Sequence, residues 1–135
     1  MKVIKANGLL HMETSESIIR AFFNTYNRLG SGFLESVYRR ALAVELKLCG
    51  VRVIEEFPLT VYYRGAPVGH FRSDLLVNEE VLVELKAAKR LHPRHSLQLR
   101  NALRATRAEL GLLMNFGPTP EFKRLVLMNC NKPIS

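Results

Sequence analysis

The sequence is poor in the residues that several common chemistries require. Cys49 and Cys130 stand alone, with no C-x-x-C and no Cys/His spacing of a zinc site, so they read as reduced core or surface thiols. No apolar run approaches the roughly 20 residues needed to span a bilayer. Met1-Lys2-Val3-Ile4-Lys5 lacks the apolar segment of a signal peptide, so the chain is expected in the cytoplasm and away from membranes. There is no glycine-rich phosphate loop and no nucleophile elbow. Acidic residues are few: 12 Asp and Glu stand against 20 Lys and Arg, a net charge of +8 that favours a polyanionic partner.

What is present is one ordinary soluble domain. At 135 residues, 47% hydrophobic and 24% charged, the chain can build a single core but not two. Residues 1–12 read as an arm and about 13–128 as the core. Thr14 or Ser15 is expected to cap a helix running through Leu29. A second helix from about Phe33 to Cys49 has Leu34, Val37, Tyr38, Ala41, Val44 and Leu48 as its apolar arc and Gly50 as its stop. Glu35 lies in its first turn, where a carboxylate complements the helix dipole. Glu45 falls inside the arc and is expected to pair with a basic side chain or a backbone amide.

Short strands follow at Val51 to Glu56 and Leu59 to Tyr63, then a turn at Arg64-Gly65-Ala66-Pro67. A third helix starts at Pro93 and ends before Gly111, and strands are expected at Leu112 to Phe116 and Phe122 to Met128. The pattern predicts an α/β fold: two N-terminal helices, a mixed central sheet with an antiparallel hairpin, and a crossover helix.

The hairpin joins Phe71 to Val77 with Val81 to Lys86 through Asn78-Glu79-Glu80. A three-residue loop pairs Val77 with Val81 and sets Asp74 opposite Glu84. Directly opposed residues have Cβ atoms about 4.5–5.5 Å apart, so the two carboxylates repel unless a proton or cation lies between them. Oxygen ligands of this kind suit Mg²⁺ or Mn²⁺. Glu84 and Lys86 share a strand face with Leu82. The alternative is an exposed rim with a weak Glu84/Lys86 pair, but the flanking Val, Leu and Ala residues favour a position near the core.

Beyond Lys86, the basic residues Lys89, Arg90, Arg94, Arg100, Arg104 and Arg107 pass with no acidic residue before Glu109. On the third helix His95, Leu99, Ala102, Leu103, Thr106 and Leu110 share a face, with Gln98 at its flank. Arg100, Arg104 and Arg107 point away and read as a solvated face. Phosphate contacts are therefore expected chiefly from Lys89, Arg90 and Arg94.

Asp74, Glu84-Leu85-Lys86 and Gln98 resemble the PD-(D/E)XK nuclease superfamily, which carries one acidic residue on a strand and E-x-K on the next. More narrowly, Gly32-Phe33-Leu34-Glu35-Ser36-Val37-Tyr38 resembles the pattern that names the GxxExxY family within it. The resemblance implies a restriction-endonuclease-like core and a divalent-metal-dependent nuclease, with DNA ahead of RNA as substrate. It implies Asp74, Glu84 and the Leu85 carbonyl as ligands of Mg²⁺ or Mn²⁺, and Lys86 as the group that orients water and steadies phosphate charge. Glu35 would be an additional acidic residue, and Gln98 would match the glutamine of a Q-x-x-x-Y motif. The chain departs from that motif at Ala102, where tyrosine is expected, and Ser73 replaces the proline of the superfamily name. The alternative is a non-catalytic module that binds nucleic acid or protein on the same fold. A homodimer or another protein partner is left open.

Overall fold

In the computed structural model, which describes residues 10–133, three helices flank a five-stranded sheet. In chain order the elements are α1 (Met12–Leu29), α2 (Glu35–Leu48), β1 (Val53–Tyr63), β2 (Ala66–Val77), β3 (Val81–Lys86), α3 (Pro93–Arg104), β4 (Leu110–Phe116), β5 (Pro120–Val126) and a 3-10 turn at Asn129–Asn131. Strands lie side by side in the order of the chain, antiparallel except between β3 and β4. That parallel step needs a crossover, and α3 supplies it.

α1 and α2 cover one sheet face, where Ile18, Phe22, Tyr38, Leu42 and Leu46 pack with Leu75, Val83, Leu85 and Met114. α3 covers the other through Leu99, Ala102 and Leu103, packed with Leu76, Leu82 and Leu113. β4 is buried along its whole length, which accounts for its nearly unbroken apolar run.

Several expectations are corrected. α1 starts at Met12 after His11 in a left-handed conformation, with no side-chain cap. Thr14 and Ser15 lie buried inside the helix, and the Thr14 hydroxyl donates to Glu80 Oε2 at 3.2 Å instead of capping. Only the last residues of the expected arm, from Leu10, fall within the described part of the chain.

The buried face of α2 is Tyr38, Leu42, Ala43 and Leu46, whereas Leu34 and Leu48 are 76% and 78% exposed and Val44 is exposed too. Tyr38 decides this orientation. Its ring stacks on Phe116 with centroids 4.2 Å apart, which turns the 38-42-46 ridge to the sheet and the 34-37-44-48 ridge outward. Glu45 is half-exposed and, among the described residues, enters no ion pair, so the expected basic partner is not found; Arg39 and Lys47 instead reach Glu55 and Glu56 on β1.

β1 is one continuous strand with Pro58 inside it, not two strands. An edge strand tolerates the missing donor. α3 ends at Arg104, and Leu110, expected on its buried face, opens β4 by pairing with Val81.

Candidate active site

The inner strand β2 is interrupted on both sides at one residue. The β1–β2 ladder steps from Glu55 opposite Leu75 to Phe57 opposite Ser73, omitting Glu56 and Asp74. Glu56 has φ 51°, a left-handed conformation that turns the strand. Phe57 and Leu59, which strict alternation from Val53 would put on the α1–α2 side, consequently pack in the α3-side cluster. On the other flank the β2–β3 ladder stops at Leu75 opposite Val83.

Where the ladders part, two carboxylates take the place of backbone carbonyls. The Asp74 amide donates to Glu84 Oε1 at 3.1 Å, and the Leu85 amide donates to Asp74 Oδ2 at 2.7 Å. Each side chain thus holds the other strand's main chain, which fixes both rotamers without help from a loop. The hairpin register that brings them together is the expected one, with Val77 opposite Val81. The left-handed residues Asn78 and Glu79, at φ 52° and 56°, make the tight three-residue connection possible.

This pairing carries an electrostatic cost. Burial pushes the Glu84 carboxyl up to about 8, and the Asp74 charge and a carboxyl hydrogen bond to Asp74 add to the rise. The Asp74 amide and the Lys86 ammonium act the other way. The burial and the Asp74 charge that favour a protonated Glu84 would also favour a cation held by the pair. An all-oxygen donor set of Asp74, Glu84 and the Leu85 carbonyl fits a hard divalent ion. Among the described residues no group of three His, Cys, Asp or Glu forms a metal cluster, so water or substrate oxygens would complete the coordination.

Lys86 is half-buried on β3, and Asn115 of β4 is its register partner. Asn115 is fully buried and is a residue that sequence reasoning missed. Its Oδ1 accepts from the Ala88 amide, and its Nδ2 donates to the Ala88 carbonyl, each at 2.9 Å. The same Nδ2 donates to Glu121 Oε2 at 3.3 Å, which also accepts from the Leu91 amide at 3.3 Å. Together these bonds clamp the segment leaving Lys86. The signal was a lone amide inside Leu110-Gly111-Leu112-Leu113-Met114-Asn115-Phe116, since a buried polar group needs partners.

Gly117 leaves room for the clamp: a Cβ there would lie 2.2 Å from the Ala88 carbonyl oxygen and 2.8 Å from Asn115 Nδ2. Gly117→Ala is expected to lower stability by about 1–3 kcal/mol through overpacking. A thermal melt of the variant that overlays the wild type would show that the clamp yields freely.

The remaining candidates are spread out. His95 is buried at the start of α3 and is held below the usual histidine range by burial first, then by Lys86, Arg94 and His92. That neutral ring suits its bond, because Nδ1 accepts from the His92 amide at 3.0 Å. Lys89 and Arg90 are exposed in the connection after β3, and Arg94 is exposed in the first turn of α3. Gln98 is exposed on α3, and Ala102 is fully buried in the core beneath that helix.

Glu35 is exposed in the first turn of α2, on the helix layer of the other sheet face. Among the described residues no hydrogen bond or ion pair joins it to Asp74, Glu84 or Lys86. The surrounding G-x-x-E-x-x-Y segment has a clear structural logic. Gly32 adopts φ 112°, and the Tyr38 hydroxyl donates to the Gly30 carbonyl at 2.6 Å while accepting from the Phe33 amide at 3.1 Å. Tyr38 thereby fixes the turn that positions Glu35.

The chain is similar to a solved structure titled "Crystal structure of SSO0001", with a TM-score of 0.58 and 17% identity. The likeness covers 75% of this chain and 52% of that one, so the chain spans about half its length, and what the two share is the fold. No curated protein matches the chain. A family model described as the PD-(D/E)XK nuclease superfamily matches residues 12–125, a span that takes in the interrupted strand, the hairpin and the crossover helix. On that match, and on a mixed sheet that bears it out, the chain belongs to the PD-(D/E)XK nuclease superfamily.

Proposed function

We propose that this protein is a divalent-metal-dependent nuclease that hydrolyses phosphodiester bonds, with DNA ahead of RNA as substrate, and that it is a GxxExxY-type member of its superfamily. The observation that carries the reading is the Asp74–Glu84 pair, locked on opposing amides with Lys86 on the same strand as Glu84. Superfamily members generally use divalent metals, and Mg²⁺ or Mn²⁺ suits these oxygens. When bound, such a cation lowers the pKa of a water and neutralises charge on the phosphate.

The chain's own groups do the rest. Asp74 and Glu84 hold the anionic half of the site, and the Leu85 main chain ties it to the core. Lys86 presents a positive charge, without competing as a ligand, where the phosphate gains charge. Lys89, Arg90 and Arg94 border the same end of the sheet and fit backbone phosphates. Glu35 is a supporting acid and Gln98 a supporting polar group.

The test is cleavage of labelled single- and double-stranded DNA and RNA with Mg²⁺ or Mn²⁺, Glu84→Gln serving as the control for contaminating nucleases. Wild-type cleavage that Glu84→Gln lacks supports the reading; equal cleavage by both overturns it. Lys86→Ala is expected to leave divalent binding intact by calorimetry and to lower the single-turnover rate about 10²–10³-fold, as loss of one electrostatic stabiliser does. Loss of metal binding in that variant would instead make Lys86 a structural residue.

A second reading is a binding module on the nuclease fold. It is favoured by Ala102, buried where a tyrosine is expected to help place substrate. No cleavage of any substrate, with retained nucleic-acid binding, would put it ahead.

A further inference from the structure

Beyond the carboxylate pair, a groove of about 720 Å³ opens between the β1–β2 hairpin and the C-terminal end of α3. Tyr62 and Phe71 line its hairpin wall, 49% and 36% exposed, and Arg104 and Arg107 line the opposite wall. No lining side chain is acidic, and neither arginine enters a salt bridge among the described residues. The groove is preformed. Lys132 Nζ donates to the carbonyls of Thr106 and Ala108 at 2.8 Å each, and Asn129 Nδ2 donates to the Arg107 carbonyl at 3.0 Å. Those bonds pin residues 129–132, and Pro133 beside them forms a third side.

Resting on the nuclease reading, we propose that this groove holds unpaired nucleotides of the substrate strand, and so makes the protein selective for single-stranded nucleic acid or single-stranded ends. Two exposed rings face two uncompensated guanidiniums. A single strand offers what both walls lack: base faces for the rings and phosphates for the arginines. A duplex keeps its base faces stacked inside and can satisfy only the arginines. An acidic peptide likewise leaves the rings without a partner.

The groove is also in line with the site. Phe71 precedes Asp74 by three residues on β2, a rise of about 10 Å. The first turn of α3 lies within reach of Lys86, whose charge acts on His95, and over its 12 residues the helix carries the chain about 18 Å to Arg104. Arg94, Gln98 and Asn101 follow one another along that helix at helical spacing, all exposed, and Asn101 lines the groove. The arginine face that the sequence reads as merely solvated thus borders a strand path from the carboxylates.

The test is fluorescence anisotropy in EDTA with a short labelled single strand and the matching duplex, which separates binding from cleavage. The single strand is expected to bind at least tenfold tighter than the duplex. Tyr62→Leu and Phe71→Leu keep the apolar bulk of the hairpin but remove the rings, and each is expected to weaken single-strand binding about tenfold while sparing duplex binding. Arg104→Ala and Arg107→Ala should each reduce the salt slope by about 1.

Single-strand affinity unchanged in the double leucine variant overturns the proposal, as does equal binding of duplex and single strand, or displacement of the strand by an acidic peptide at equal concentration. Wild-type protein that binds single strands in this way but cuts nothing overturns the nuclease reading and leaves the groove assignment standing.

Discussion

Asp74→Asn is expected to abolish nuclease activity while leaving the fold intact. The asparagine Oδ1 can still accept from the Leu85 amide, so the strand opening keeps the bond now 2.7 Å long, and only the charge is lost. A cation contact supplies several kcal/mol to a phosphoryl transition state, so the rate should fall by at least about a thousandfold. The melting temperature in EDTA should hold near neutrality and rise at alkaline pH, where Glu84 ionises and the Asp74 charge would otherwise repel it. Asp74→Ala should lose activity to the same degree and stability as well, since it strands the Leu85 amide in a buried position. Single-turnover cleavage and thermal melts on both variants decide the matter. An asparagine variant with full activity would mean that Asp74 serves only the backbone.

The second large effect is a pH dependence with a definite sign. The Glu84 carboxyl ionises near 8 in the folded chain against 4.5 for the ordinary group, so between those values the folded protein retains a proton that the unfolded chain has released. The stability of the metal-free protein therefore contains a term fully present below 4.5, lost as pH rises, and exhausted above about 8. Divalent binding must displace that proton. Affinity should rise up to about tenfold per pH unit below pH 8 and then level off, with uptake of metal releasing acid into a weakly buffered solution. Glu84→Gln should flatten the stability term and melt higher than wild type at the alkaline end. Metal affinity independent of pH across this window would show that Glu84 is not a ligand.

How much of this was legible in the residues depended on whether the cause was local. The hairpin register could be read because a three-residue loop sets it and a one-residue slip would have turned Glu84 and Lys86 toward the α1–α2 core. Element order followed from periodicity and breakers in the same way. Orientation of α2 could not be read, because both its ridges are apolar and the choice is made by Tyr38 stacking on Phe116, far along the chain. The reversal at Glu56 was equally hidden: nothing in Val53-Ile54-Glu55-Glu56-Phe57 announces a left-handed glutamate, yet that residue moves Phe57 and Leu59 across the sheet and helps leave Asp74 free of both ladders. The Asn115 clamp joins Ala88 and Glu121 from separate elements, so only its lone polar member showed in the sequence.

The unequal lengths of the central strands have a dynamic consequence. β3 pairs only with Leu75, Leu76 and Val77 of β2, so the stretch from Ala66 to Arg72 is joined to β1 alone. A two-stranded ribbon is marginally stable by itself, and this one leans on the end of α3 through the walls of the groove. The hairpin should thus behave as a separate cooperative unit, its amides exchanging with solvent through a low-energy opening while those of β3 and β4 wait for global unfolding. Any strand gripped between Tyr62, Phe71 and the arginines would close that opening, so occupancy should register as slowed deuterium uptake along both arms of the ribbon, well away from the carboxylates.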